Sequence, residues 1–148
     1  MSVIRITKEF RFEAAHALKG YNGPCRNIHG HSYKLSVTIT GEPIEAGASP
    51  KKGMVMDFSD LKKIIKQSII DPFDHALILG SDFKDIDFTS SGDAFSNVIL
   101  VDYQPTSENL LIDFAERIRN LLPPKTNLHS LRLRETATSF AEWFAEDN

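Results

Sequence analysis

Cys25-Arg-Asn-Ile-His29-Gly-His31-Ser-Tyr33-Lys-Leu35-Ser-Val37-Thr-Ile39-Thr40 is the stretch whose reading decides the fold. After His31 the odd positions are apolar and the even ones are Ser, Lys or Thr, the period of a strand buried on one face. The same parity puts His31 on the inward face. His29 joins it where the backbone is already extended, because alternate residues of a strand project to one side.

Upstream, Ile4, Ile6, Phe10, Phe12 and Ala14 form a second alternating series, broken only at Lys8, and His16 continues it. A long first strand is expected there, with His16 at its end facing the same way as Phe12 and Ala14. Gly20-Tyr-Asn-Gly-Pro24 separates the two strands with turn formers. Downstream of a polar connection, Glu42 to Gly53, Asp57 is placed to cap a helix. Its apolar side is Phe58, Leu61, Ile64, Ile65 and Ile69, and Asp71-Pro72 is expected to end it. Pro105-Thr106-Ser107 opens a second amphipathic helix that Pro123-Pro124 stops. Leu131 and Leu133 alternate with arginines in a strand leading to Glu135, and Thr138 to Phe144 supplies a fourth strand. Ser81 to Asp102, rich in Asp, Ser and Phe, gives no periodic signal. The order predicts an α+β fold: an antiparallel sheet with both helices on one face.

The bulk numbers exclude several classes. At 148 residues and 41% apolar, one domain spanning 1–148 with a real core is expected. A net charge of -3 gives no general attraction for nucleic acid. A single cysteine excludes an intrachain disulfide and fits a reducing compartment. The N-terminal residues lack the basic-then-apolar order of a signal peptide and no apolar run is long enough to span a bilayer, so the cytoplasm is expected and a membrane is not.

The chemistry concentrates at His16, His29 and His31. Three imidazoles facing one way suit a divalent ion, zinc first, with nickel, iron or copper as other choices. Three neutral ligands leave the ion's charge uncompensated and one position open, which favours Lewis-acid catalysis over a structural role. Cys25 is either a fourth ligand or a separate proton-transfer group. Asp74-His75 reads by itself as a capping acid beside a surface imidazole. His129, without a partner in sequence, reads as an ordinary strand residue. Glu135 falls on the inward register of Leu131 and Leu133, where a carboxylate needs donors; an arginine is the expected partner.

Taken together, Phe12-Glu-Ala-Ala-His16, Cys25-x-x-x-His29-Gly-His31, Gly53-Met-Val-Met-Asp-Phe58, Asp74-His75, Pro105-Thr-Ser-Glu-Asn109 and Glu135-Thr136 resemble the 6-pyruvoyltetrahydropterin synthase family. The likeness covers most of the chain. The short spacer between Cys25 and His29 is similar to the 6-carboxytetrahydropterin synthase branch of queuosine biosynthesis. The resemblance implies a tunnelling fold, ββααββ, whose subunit sheets join into a barrel in a homo-oligomer, commonly a hexamer of two trimers. It implies that His16, His29 and His31 hold zinc, Cys25 transfers protons, Asp74 and His75 assist it, and Glu135 anchors the pterin. Thr106 and Ser107 are implied to help hold the pterin from a neighbouring subunit. Arg26 and Lys34 are offered as triphosphate contacts. The implied reaction converts 7,8-dihydroneopterin triphosphate to 6-carboxytetrahydropterin, acetaldehyde and triphosphate with no redox cofactor. Competing expectations are the pyruvoyl-forming synthase, a non-catalytic pterin- or metal-binding homologue, and a cupin-like metal enzyme, which the two helices between strand pairs disfavour. Ser81 to Tyr103 is longer than the corresponding bridge in compact relatives and is expected to be a flap, an oligomer contact or a mobile loop.

Overall fold

A computed structural model of the chain describes residues 2–45 and 47–148. The two alternating series form strands β1 (Ile4–His16) and β2 (His29–Gly41), paired antiparallel along their full length. Ile4 stands opposite Gly41 at one end and His16 opposite His29 at the other. With this register the even positions of β1 and the odd positions of β2 share one face. Phe12, Tyr33, Leu35, Val37 and Ile39 are buried there.

The helices cover that face. Helix α1 (Phe58–Ile65) is capped by Asp57, whose carboxylate accepts from Ser59 N–H at 2.8 Å. It does not end at Asp71-Pro72. A π turn over Lys66–Ile70 carries it into a further helical turn, α2 (Asp71–Phe73). Pro72 directly follows this π turn, and the Ser68 carbonyl one turn back accepts from Arg117 Nη1 at 3.4 Å in place of the N–H that proline lacks. Two short strands follow, β3 (Ala76–Gly80) and β4 (Val98–Val101), and then α3 (Ser107–Arg119), β5 (Thr126–Thr136) and β6 (Ser139–Phe144). Leu61, Ile65, Ile69, Leu110, Phe114 and Ile118 from the helices meet Leu131, Leu133 and Trp143 from β5 and β6 in one core.

The sheet runs β4-β3-β1-β2-β5-β6. The expected ββααββ frame is present, but β3 pairs with β1 and β4 with β3 in parallel, so the sheet is mixed. Of these two, β4 arises from the segment that gave no periodic signal, and β3 directly precedes it. Between them the chain makes short 3-10 turns at Ser81–Phe83, Thr89–Ser91 and Asp93–Phe95, then returns as the edge strand β4. The excursion is tied back to the loop after β1 by Lys19, which donates to the Asp82 carbonyl at 3.3 Å.

Strand β5 carries two irregularities. Against β2, Thr38 faces Ser130 while Ile39 faces Leu128, which leaves His129 as the extra residue. Its ring meets Ser130 Oγ and the edge of Phe144, consistent with an ordinary strand role. Against β6, Arg134 faces Phe140 and Thr136 faces Ser139, which leaves Glu135 outside the ladder. Bulges of this kind re-aim a side chain.

Among the described residues, no helix is long and apolar enough to cross a membrane. Phe114 is fully buried, edge-on to Phe12 at 6.1 Å and Phe73 at 5.1 Å between ring centroids. Replacing Phe114 by Ala is expected to remove about 3–5 kcal/mol of stability, read as a lowered midpoint in urea denaturation.

Candidate metal centre

The strand register brings the three histidines together. His16 and His29 are direct cross-strand partners, and His31 stands opposite Ala14, one step along the same face. Their ring centroids lie 4.5 Å (His16–His29), 5.0 Å (His29–His31) and 5.1 Å (His16–His31) apart. One nitrogen from each falls within 4.8 Å of the others.

Hydrogen bonds to backbone carbonyls set the tautomers. His16 Nδ1–H donates to Pro105 O and His29 Nδ1–H donates to Asn27 O, both at 2.7 Å. In the neutral rings each Nε2 then carries a lone pair, and these two Nε2 atoms face each other at 3.0 Å. Two lone pairs at that distance repel unless a cation lies between them. His31 Nε2 is buried without a hydrogen-bond partner; Glu135 Oε1 is 3.1 Å away but not aligned to bond it. Two opposed lone pairs and one orphaned nitrogen fit a three-nitrogen metal site, and a carbonyl on the far nitrogen is the usual support for such ligands. Cys25 is not part of this set. It sits on the 3-10 turn Pro24–Arg26, where its carbonyl accepts from Leu18 N–H at 3.0 Å. Among the described residues no side-chain hydrogen bond joins its thiol to the imidazoles or to His75.

Burial shifts two of the rings. His16 is buried, and desolvation pushes its pKa down despite the Pro105 carbonyl and the Glu135 charge, which pull the other way. His31 is likewise held below the ordinary imidazole value, by desolvation first, against the Glu135 charge.

Among the described residues, Glu135 forms no ion pair with an arginine. Its bulge position turns it to His31 and to Ser107, whose hydroxyl donates to Oε2. The start of α3 therefore serves the site three times. Pro105 gives its carbonyl to His16, the Thr106 hydroxyl caps the helix by accepting from Asn109 N–H at 3.3 Å, and Ser107 holds Glu135. Within one chain, then, Ser107 and Glu135 are already joined.

Asp74 and His75 do pair, Oδ1 to Nδ1 at 3.1 Å. Neighbours on an extended chain point apart, but His75 has φ 60, and that left-handed turn folds the ring back onto the carboxylate. Asp74 Oδ1 also accepts from Glu13 N–H at 2.9 Å, which is the first cause of its lowered pKa, while His75 N–H donates to Glu13 O at 2.6 Å. The dyad is thus pinned to β1. The His75 ring is 78% exposed and shares a cavity of about 330 Å³ with His31, Ser32 and Glu13.

A second cleft, about 640 Å³, opens where β5 leaves β2 after the Lys34–Arg134 pair. It is lined by His31, Tyr33 and Glu135, with Arg11, Lys34 and Arg134 among its rim residues. Lys34 is held by Glu9 at 2.8 Å. Arg11, Arg134, Tyr33 and the Pro105 carbonyl were not singled out from the sequence. Only the parity of Arg11 and Arg134, opposite or next to Lys34 across three strands, carried a signal for them. A further cavity, about 1140 Å³, lies at the opposite end of β2 among Thr40, Ile44, Val55, Met56 and Pro123, away from the histidines.

The sequence model of 6-pyruvoyl tetrahydropterin synthase matches residues 5–146. The 6-carboxy-5,6,7,8-tetrahydropterin synthase of Haemophilus influenzae is 40% identical over 143 residues, covering 95% of this chain and 99% of that protein. The protein of the same name from Synechocystis is 33% identical over 95% of this chain and 92% of its own length. Among solved structures, a Wolinella succinogenes protein superposes with a TM-score of 0.79 at 22% identity, over 98% of this chain and 99% of that one. The 6-pyruvoyl tetrahydropterin synthase of Caenorhabditis elegans superposes with a TM-score of 0.68 at 26% identity, over 98% and 97%.

Acid should loosen the metal-free protein at this centre. His16 and His31 have pKa values lowered in the folded chain from the ordinary 6.5, so as pH falls through that value the unfolded chain takes up protons first. Stability is expected to be full above about pH 7 and to fall steadily towards pH 5, read from urea midpoints of chelator-treated protein. A variant with His16 and His31 replaced by Gln should show a flatter profile over that range.

Proposed function

The chain belongs to the 6-pyruvoyl tetrahydropterin synthase family, and from that membership we propose that it is a 6-carboxy-5,6,7,8-tetrahydropterin synthase. The reaction is the conversion of 7,8-dihydroneopterin triphosphate to 6-carboxytetrahydropterin with release of acetaldehyde and triphosphate, a carbon-carbon lyase step in queuosine biosynthesis. The observation that carries the reading is the convergence of His16, His29 and His31 in a chain alike over 95% of its length to relatives bearing that name. Pyruvoyl formation, which stops at elimination, is the competing outcome.

His16, His29 and His31 are the residues that would hold the metal, zinc by choice of donors. When bound, the ion supplies Lewis acidity to the oxygens of the substrate side chain. The remaining work belongs to the chain. Glu135, steadied by Ser107, accepts from the N–H and 2-amino groups of the pterin, and Thr106 shapes the turn that presents Ser107. His75, oriented by Asp74, stands at the cavity it shares with His31 and moves protons on the side-chain carbons together with Cys25. The exposure of the His75 ring supports a site completed by a neighbouring subunit, in line with a homo-oligomer such as a hexamer of two trimers. One domain over residues 1–148, acting in the cytoplasm without nucleic acid or membrane partners, completes the proposal.

Purified protein given the substrate is expected to release acetaldehyde and triphosphate in equal amounts. Triphosphate without acetaldehyde would instead identify the pyruvoyl-forming reaction. The variant Cys25→Ala is expected to keep its zinc by elemental analysis and to lose turnover by about 10²–10⁴-fold, the range for a proton-transfer group. Loss of zinc in that variant would make Cys25 a ligand.

A further inference from the structure

Among the described residues, two buried side-chain polar atoms lack a hydrogen-bond partner: His31 Nε2 and the Tyr33 hydroxyl. The first is accounted for by the metal centre. The second is not. Tyr33 is 1% exposed and occupies an inward position of β2 that Leu35, Val37 and Ile39 continue with no polar atom at all. A phenylalanine would fill the same space without burying an unpaired hydroxyl, so packing gives no reason for the oxygen.

The ring cannot swing its hydroxyl elsewhere. It is stacked on Phe12, with centroids 5.0 Å apart and planes 14° apart, and it stands edge-on to His31 at 5.5 Å and His16 at 6.3 Å. It lines the same 640 Å³ cleft as His31 and Glu135. No hydrogen bond joins it to Glu135, whose Oε2 is taken by Ser107. A phenolic O–H is a hydrogen-bond donor at neutral pH, so the unpaired group is available to a ligand.

We propose that the Tyr33 hydroxyl is a substrate-binding donor, giving its hydrogen bond to a ring acceptor of the pterin seated between His31 and Glu135. The inference rests on the reading of Glu135 as the pterin anchor and deepens it. A 2-amino-4-oxo ring that offers its N–H and amino group to a carboxylate carries an acceptor on either side, the 4-oxo oxygen and a ring nitrogen. A carboxylate alone accepts any ring with two adjacent donors. A fixed donor beside it requires an acceptor beside them, and a buried donor left unpaired by the wrong ring penalises that ring strongly. Tyr33 is therefore a specificity-determining residue for the pterin ring.

The test is a fluorescence titration of metal-loaded protein with pterin itself, comparing wild type, Y33F and E135Q, with zinc content and Tm measured on each. Y33F is expected to keep its zinc, to bind pterin about three- to tenfold more weakly, as for one neutral hydrogen bond, and to show a Tm equal to or above that of wild type. E135Q is expected to lose pterin binding. If E135Q loses binding while Y33F binds as wild type does, the Tyr33 inference is overturned and the anchor reading stands. A Y33F variant with lowered Tm and unchanged pterin affinity likewise overturns it, since the hydroxyl is then structural. If E135Q binds pterin normally, both readings fall together.

Discussion

Everything at the site depends on the register between β1 and β2, in which His16 is the direct partner of His29. Cross-strand neighbours are held at a separation set by backbone hydrogen bonds, so the spacing of two ligand atoms is a property of the sheet rather than of any loop. A slip of one residue would turn His16 to the other face and expose Phe12 and Ala14 with it. The apolar series that builds the core is thus the same device that aims the imidazoles. Asp74 and His75 are hung from the same strand through Glu13, whose N–H and carbonyl bond to them.

How much of this was legible in the sequence follows from the kind of structure each segment forms. The alternating runs of β1, β2 and β5 announce one buried face and one wet face, and both helices carry apolar stripes with capping residues. Ala76-Leu-Ile-Leu-Gly80 and Val98-Ile-Leu-Val101 do not alternate. Strands in parallel pairing are covered more evenly and read as short continuous apolar runs, which periodicity cannot separate from other buried segments. Pro72 misled in another way. It marks a break in a regular helix, yet the wide turn before it restarts the helical ladder and absorbs the missing donor.

At the site the histidines were legible because parity alone places them. The partners that fix them were not: Pro105 and Asn27 act through backbone carbonyls, which no side-chain pattern reveals. Glu135 was expected to find an arginine because its parity put it in the core. It stays on the inward side, facing His31, but it is only partly buried and the Ser107 hydroxyl supplies the donor in place of a cation. The pairing of Asp74 with His75 depended on a positive φ at a non-glycine residue, a strain the sequence does not announce.

The carbonyl that orients His16 lies 89 positions further along the chain, at the entrance to α3. The candidate ligand set is therefore fully oriented only after the C-terminal half has docked onto the first hairpin. An isolated hairpin would hold the same three imidazoles with one of them free to choose the wrong tautomer. Any ion taken up at the centre discriminates the native chain from partly assembled ones, and its binding energy adds to the cooperativity of folding by mass action. Affinity for the ion becomes a gauge of how far tertiary assembly has gone.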